Sequence, residues 1–214
     1  LDQQEIVYKI HYKRIKNCYL RVEKGEVVIR CSPLFSQSEI EKLIRNHQEE
    51  ILEQIKGYVP KYNYQEDGYV YLFNQKYQIV LKDMNIKKCA IHDRQIYVYS
   101  KNIQATIEMF LKQELMNYLK ERIDFYLSTS FHHVFPEIQI KKMKRRWGAC
   151  FYQKNRVCFN LVLAHIDYAL IDYVIVHELC HFLEANHSKA FYHEIEKRMP
   201  DYKERERLLK DVGI

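Results

Sequence analysis

The spacing of apolar positions divides the chain into stretches of period two and stretches of helical period. Ile6-Val7-Tyr8-Lys9-Ile10-His11-Tyr12 alternates, with Ile6, Tyr8, Ile10 and Tyr12 on one face, and predicts a strand. Cys18 to Val22 and Glu26 to Arg30 predict two more, joined through Lys24-Gly25 as a hairpin. Ser36-x-x-Glu39 is a capping box. Behind it Ile40, Leu43, Ile44, His47, Ile51, Leu52 and Ile55 line one helical face, so a single helix is expected until Gly57, with His47 packed in the core. Lys61 to Asp67 is polar and aromatic without a period, the best candidate for a linker. Tyr69 to Phe73, Tyr77 to Leu81, Lys88 to Ile91 and Gln95 to Ser100 read as short strands.

After residue 100 the period becomes helical. Ile103, Ile107, Phe110, Leu111, Leu115, Tyr118, Leu119 and Ile123 form a stripe, predicting a helix over about Asn102 to Leu127. Ile138 to Trp147 alternates imperfectly, Gly148 permits a turn, and Arg156 to Leu163 is the expected partner strand. Asp167 is then an N-cap for a buried helix through Ile171, Val174, Ile175, Leu179 and Phe182. Ser188 caps a further helix through Phe191, Ile195 and Met199, stopped by Pro200. The sum is an α+β protein whose N-terminal half, residues 1–100, holds about seven strands and one helix.

Composition narrows the function classes. The formal charge of +6 permits a nucleic-acid partner without favouring one. Lys141, Lys142, Lys144, Arg145 and Arg146 are the densest basic run, either a solvated strand face or a cationic rim. The cysteines, at 18, 31, 89, 150, 158 and 180, form no C-x-x-C pair, and no signal peptide is visible, so reduced thiols and a cytoplasmic location are expected. No apolar run reaches membrane-spanning length, so no membrane partner is expected.

The chemistry concentrates in His177-Glu178-Leu179-Cys180-His181. Residues four apart share a helical face, so both imidazoles can reach one Zn²⁺, while Glu178 is turned about 100° away and suits proton transfer on a zinc-bound water. A catalytic zinc takes a third protein ligand. Glu184 lies on the same face, but three ligands along one helix cannot wrap an ion. His193 sits inside the following helix and is the weaker candidate. A helix end at Ala185-Asn186, with Asn in the left-handed conformation, would bring His187 under the ion, and His187 is favoured. His132-His133 is set aside, because adjacent residues of an extended segment point opposite ways.

Ile171 to His181, Asn186-His187-Ser188-x-x-Phe191, Pro200 to Arg205 and the upstream Arg146-Trp147-Gly148-Ala149-Cys150 together resemble the YgjP-like family of zinc metallopeptidases, itself similar to the SprT-type proteases. The resemblance is specific from about residue 138 onward. It implies a zincin-like catalytic domain over residues 101–214, with His177, His181 and His187 as zinc ligands and Glu178 as the catalytic acid/base. Ala149-Cys150-Phe151 stands where the family reads Ser-Cys-Ser, so no hydroxyl role carries over there. The implied partner is a peptide or protein substrate, held in extended form beside the metal helix. Trp147 and Asn160 could touch it, or could fill core and satisfy backbone. Arg146, Tyr192 and His193 are the candidates for a further oxyanion donor. The rival reading is a zinc-stabilised nucleic-acid- or protein-binding module, or a DNA-associated protease of the SprT-like kind.

Overall fold

The first alternating stretches fold as β1 (Tyr8–Tyr12), β2 (Tyr19–Glu23) and β3 (Glu26–Cys31), side by side in the order β1-β3-β2. The computed structural model describes residues 6–23, 25–57, 62–84 and 86–213. β2 runs antiparallel to β3 as expected of a hairpin, and β1 pairs parallel to β3. Of the turn expected at Lys24-Gly25, Lys24 lies outside the described residues, and Gly25 takes φ 75°, which glycine adopts at no steric cost.

The capping box forms: the Ser36 side chain accepts from the Glu39 N–H, and the Glu39 carboxylate accepts from the Ser36 N–H. The helix it opens is shorter than expected. α1 (Gln37–Asn46) ends at His47, whose φ of −116° and ψ of 18° leave helical geometry, and α2 (Gln48–Gly57) starts afresh. The break turns His47 outward, where it is exposed and meets Glu50 at 3.3 Å, so it is not the core histidine the apolar stripe suggested. Ile40, Ile44 and Ile51 still reach the core, against Val27, Ile29 and Cys31.

The chain divides into two compact units, Leu1–Pro60 and Lys61–Ile214. A shared core explains this. β4 (Tyr62–Asn63), β5 (Tyr69–Leu72), β6 (Gln75–Leu81), β7 (Lys88–His92) and β8 (Gln95–Tyr99) form one sheet in the order β4-β5-β6-β8-β7. Its inner residues Val70, Ile79, Ile96 and Val98 belong to the same apolar cluster as Ile107, Leu111, Leu115 and Leu119 of α3 (Ile103–Tyr126). Each of these side chains, fully removed from water, contributes about 1.5–3 kcal/mol, so strands and helix fold as one body. Asn102 caps α3 by accepting from the Ala105 N–H. A π-helical turn, Leu127–Phe131, closes it, and His132 then takes the left-handed conformation.

The next strands pair differently from the simple hairpin expected. β9 (Glu137–Lys141) ends at the first residue of the basic run, β10 (Gly148–Phe151) begins at the glycine, and β11 (Arg156–Asn160) lies between them. β11 is antiparallel to β10 and parallel to β9. The reversal is made at Asn155, in the left-handed conformation at φ 44°, and not at Gly148. Asn160 holds the intervening segment in place. Its amide donates to the carbonyls of Met143 at 2.8 Å and Arg146 at 2.9 Å, and its oxygen accepts from the Met143 N–H at 3.2 Å.

α4 (Tyr168–Cys180) is the helix these layers enclose, followed by α5 (Lys189–Arg198) and α6 (Tyr202–Val212). It starts where Asp167 accepts from the Ala169 N–H, and it touches α3, α5, α6 and β10. Leu170, Ile171, Val174, Ile175, Val176, Leu179 and Cys180 are all buried, so it shows no polar face to water. Its one acidic residue before His177 is Asp172, which receives Arg122 at 2.7 and 3.1 Å, the Tyr118 hydroxyl at 2.8 Å and the Tyr126 hydroxyl at 3.0 Å. All three donors come from α3. Among the described residues no helix is long and apolar enough to cross a membrane.

Removing Asp172 would leave the half-buried Arg122 without its counter-charge and two tyrosines without an acceptor. Asp172→Ala is expected to lower the unfolding free energy by about 3 kcal/mol, and Tyr118→Phe, which deletes one of the hydroxyl donors to Asp172, by about 1 kcal/mol. Urea denaturation of both variants checks this; equal losses would contradict the ranking.

Candidate metal centre

The residues that converge are His177, His181 and His187, whose ligand-capable atoms all lie within 4.8 Å of one another. His177 is in the last turn of α4 and His181 is its C-cap, with φ −68° and ψ −14°. The helix ends earlier than expected. The N–H groups of Phe182 and Leu183 bond three residues back, to Leu179 at 3.0 Å and Cys180 at 2.9 Å, so the chain tightens directly after His181. Asn186 is not among the described residues with positive φ, so the return of the chain does not use the left-handed asparagine expected there. The outcome for His187 is the same: its Nε2 lies 3.1 Å from the Nε2 of His177.

Ser188 explains how His187 is held. It is the N-cap of α5, its side chain accepting from the Phe191 N–H at 3.3 Å, and this fixes the chain one residue beyond the histidine. Phe191, with no exposed surface, then lies beneath the cluster, its ring 5.0 Å from that of His177, 4.6 Å from His181 and 4.7 Å from His187. The sequence marked Phe191 only as a core residue of its helix. Its spacing from the Ser188 cap was the signal that it would also sit under the three imidazoles.

The donor set fits a zinc ion. Two nitrogens held tetrahedrally about 2.0–2.1 Å from zinc are about 3.3 Å apart, close to the separation observed between His177 and His187. The His181 Nδ1 lies 3.3 Å from the Glu184 carbonyl, which fixes the ring so that Nε2 is the lone pair available to an ion. The His177 Nδ1 is buried without a partner among the described residues. Burial and the two neighbouring histidines hold the His177 pKa down to about 3, so this ring is neutral, the form that ligates metal. His181 is lowered as well, chiefly by burial. His187 is exposed, which leaves the cluster open on that side.

Glu178 is buried, with 6 % of its surface exposed, on a different face of α4 from the two histidines. Burial pushes its pKa up to about 8, against the lowering effects of a hydrogen bond from the Cys150 N–H and of the Arg146 charge. Its place depends on Gly148. A Cβ at that position would come within 2.5 Å of the Glu178 Oε1 and 2.7 Å of its Cγ. The sequence reading treated Gly148 as a turn residue and missed this close approach, although its place in Arg146-Trp147-Gly148 was the signal. Arg146 itself is exposed, and Trp147 is half-buried against the core. Asn160 is 1 % exposed, its side chain committed to the backbone, the second of the two roles the sequence left open. The Tyr192 ring lies 6.2 Å from that of His187, while His193 is exposed on α5 and lies outside the cluster of three. Glu184 contributes its carbonyl to His181 and is likewise outside the cluster.

Comparison with known proteins gives a family and partial structural likenesses. The family model described as YgjP-like, metallopeptidase domain, matches residues 16–212. Among solved structures, the metallopeptidase zymogen abylysin of Pyrococcus abyssi is 17% identical, with a TM-score of 0.41 over 44% of this chain and 94% of its own. The metallopeptidase zymogen jannalysin of Methanocaldococcus jannaschii is 26% identical, with a TM-score of 0.38 over 42% of this chain and 90% of its own. No curated protein matches.

The raised Glu178 pKa carries a signed prediction for the metal-free protein. A carboxyl whose folded pKa is raised stabilises the fold in its protonated form; that contribution is complete below its ordinary value of 4.5 and is lost as pH rises towards about 8. Glu178→Gln removes the loss, so the metal-free variant should be more stable than metal-free wild type at about pH 8, with the gap nearly closed near pH 5. His177, lowered to about 3, costs stability on the acid side in both proteins and cancels. Urea midpoints at the two pH values decide it; a gap that does not change with pH would refute the burial argument.

Proposed function

The chain belongs to the YgjP-like metallopeptidase family, and on that premise we propose that it is a zinc-dependent peptidase of zincin type, with His177, His181 and His187 holding the ion and Glu178 moving the proton. The observation that carries this reading is the convergence of three imidazoles beside a buried carboxylate, with no fourth protein ligand in the cluster among the described residues. An open position is what separates a catalytic zinc site from a structural one. Zinc held there would supply Lewis acidity, lowering the pKa of water towards 7 and polarising the scissile carbonyl.

The protein's own residues supply the rest. Glu178 accepts the proton at its carboxylate and returns it to the leaving amine, and its burial gives the carboxylate a high proton affinity for that exchange. Gly148 leaves the space the carboxylate occupies, and the Cys150 N–H fixes its orientation. β10 is an edge strand, paired only with β11 among the described residues, so an extended peptide can add to its free side. Arg146, exposed and close enough to act on Glu178 by its charge, is the candidate donor to the oxyanion, and Tyr192 beside His187 is the alternative.

The ligand set predicts that His187→Ala weakens zinc binding strongly while His193→Ala leaves it unchanged, read by metal analysis after dialysis. The reverse ranking would remove His187 from the set. Glu178→Gln is expected to keep both zinc and fold while hydrolysis of an unbiased peptide library falls by about 10²-fold or more. Loss of zinc in that variant would instead make Glu178 a ligand.

The basic run supplies a test of the nucleic-acid alternative. Neutralising Lys141, Lys142 and Lys144 should change cleavage of an uncharged peptide by less than about tenfold, because strand addition rests on backbone hydrogen bonds. Lys142 already pairs with Glu108 at 2.6 Å. Steeply salt-dependent DNA binding that disappears in the triple variant, or cleavage only in the presence of DNA, would favour a DNA-associated protease instead.

A further inference from the structure

Two cysteines of the first unit face each other outside the metal centre. In the β2–β3 ladder Tyr19 is opposite Arg30 and Leu20 opposite Ile29. Continued by one residue, that register sets Cys18 opposite Cys31. The backbone of Cys31 decides the kind of pair. Its carbonyl accepts from the Lys13 N–H at 2.8 Å, on the side of the strand that faces β1. The N–H and C=O of one strand residue point the same way, so neither faces β2. Cys18 and Cys31 are therefore a non-hydrogen-bonded pair, the kind in which Cα atoms are about 4.5 Å apart and side chains are closest. A disulfide spans Cα separations of about 4.4–6.8 Å. Both side chains lie on the core face: Cys31 is in the apolar cluster with Val27 and Ile29, and Cys18 packs against it. Cys18 is half-exposed and Cys31 is fully buried behind it.

We propose that Cys18 and Cys31 form a dithiol site that closes to a disulfide by exchange with a low-molecular-weight disulfide of the glutathione type. Cys18, the accessible thiol, loses its proton and attacks one sulfur of the reagent, releasing one small thiolate and leaving a mixed disulfide. Cys31 then loses its proton and attacks the Cys18 sulfur, releasing the second small thiolate. The two protons end on the two small thiols, and two electrons pass from the protein to the reagent. Burial first, then the Cys31 thiol and Glu39, hold the Cys18 thiol above its ordinary pKa, so closure is slow at neutral pH and faster in mild alkali. Once formed, the bond would tie the start of β2 to the end of β3 across the sheet.

The test uses the full chain, equilibrated with mixtures of oxidised and reduced glutathione, quenched in acid, then unfolded in denaturant and alkylated, digested and mapped by mass spectrometry. Cys18 and Cys31 should lose alkylation together and appear as one cross-linked peptide that dithiothreitol separates. Cys31→Ser should trap glutathione on Cys18, and Cys18→Ser should leave Cys31 reduced in the folded protein. Circular dichroism establishes that each variant is folded, and Cys31→Ala replaces Cys31→Ser if the buried hydroxyl is not tolerated. Cys150, half-buried beside Glu178 and pushed up to about 12, is the internal reference and should stay alkylatable throughout. A wild-type protein in which Cys18 carries glutathione without closing onto Cys31, or in which either cysteine links elsewhere, would overturn the proposal.

Discussion

The structure of the larger unit depends on how α4 is fixed. A helix buried on every side has no polar face to set its rotation, so its apolar residues alone would tolerate several settings. Asp172 removes that freedom. Its carboxylate takes Arg122, Tyr118 and Tyr126 from successive turns of α3, and a buried carboxylate without those donors would be costly. The same contacts hold Arg122 protonated, with Asp172 as the main cause. The Asp172 clamp therefore sets which way His177 and Glu178 point, less than two turns further along the helix.

The centre built on that helix is electrostatically incomplete by itself. His177 is half-buried and held neutral, its Nδ1 without a partner among the described residues, and its Nε2 is set against that of His187. Glu178 is buried with a raised pKa. Crowding three imidazoles over Phe191 beside a buried carboxyl is unfavourable in the absence of a cation, and a divalent ion offsets much of that cost. This is the physical case for the proposed metal. The same burial that destabilises the empty site gives Glu178 the proton affinity the proposed chemistry calls for.

The sequence legibly set those elements whose determinants are local. The capping box at Ser36, the stripe from Ile107 to Ile123 and the caps at Asp167 and Ser188 all appear where a period or a side chain close in sequence demands them. The i, i+4 spacing of His177 and His181 also lies in the sequence itself. His47 was misread because one apolar stripe can be shared by two helices with a break between them, and periodicity alone does not see the break. The partner of the Ile138 stretch was read correctly, since β11 does pair with β9, but the sense of the pair was not: the two run parallel, with β10 on the other side of β11, and no local signal encodes that arrangement.

What only the tertiary structure decided is where non-local groups meet. Asn160 became a backbone clamp because the segment from Met143 to Arg146 folds back over it. Gly148 became necessary because β10 passes so close to α4 that a methyl group would meet the Glu178 carboxylate. The division of the chain at residues 60 and 61 follows from strands and a helix, distant in sequence, burying one core. The sequence determined the local conformations and which side chains could ligate a metal. Packing between distant segments, which lowers free energy only once the chain is compact, decided which of them met and how deeply they were buried.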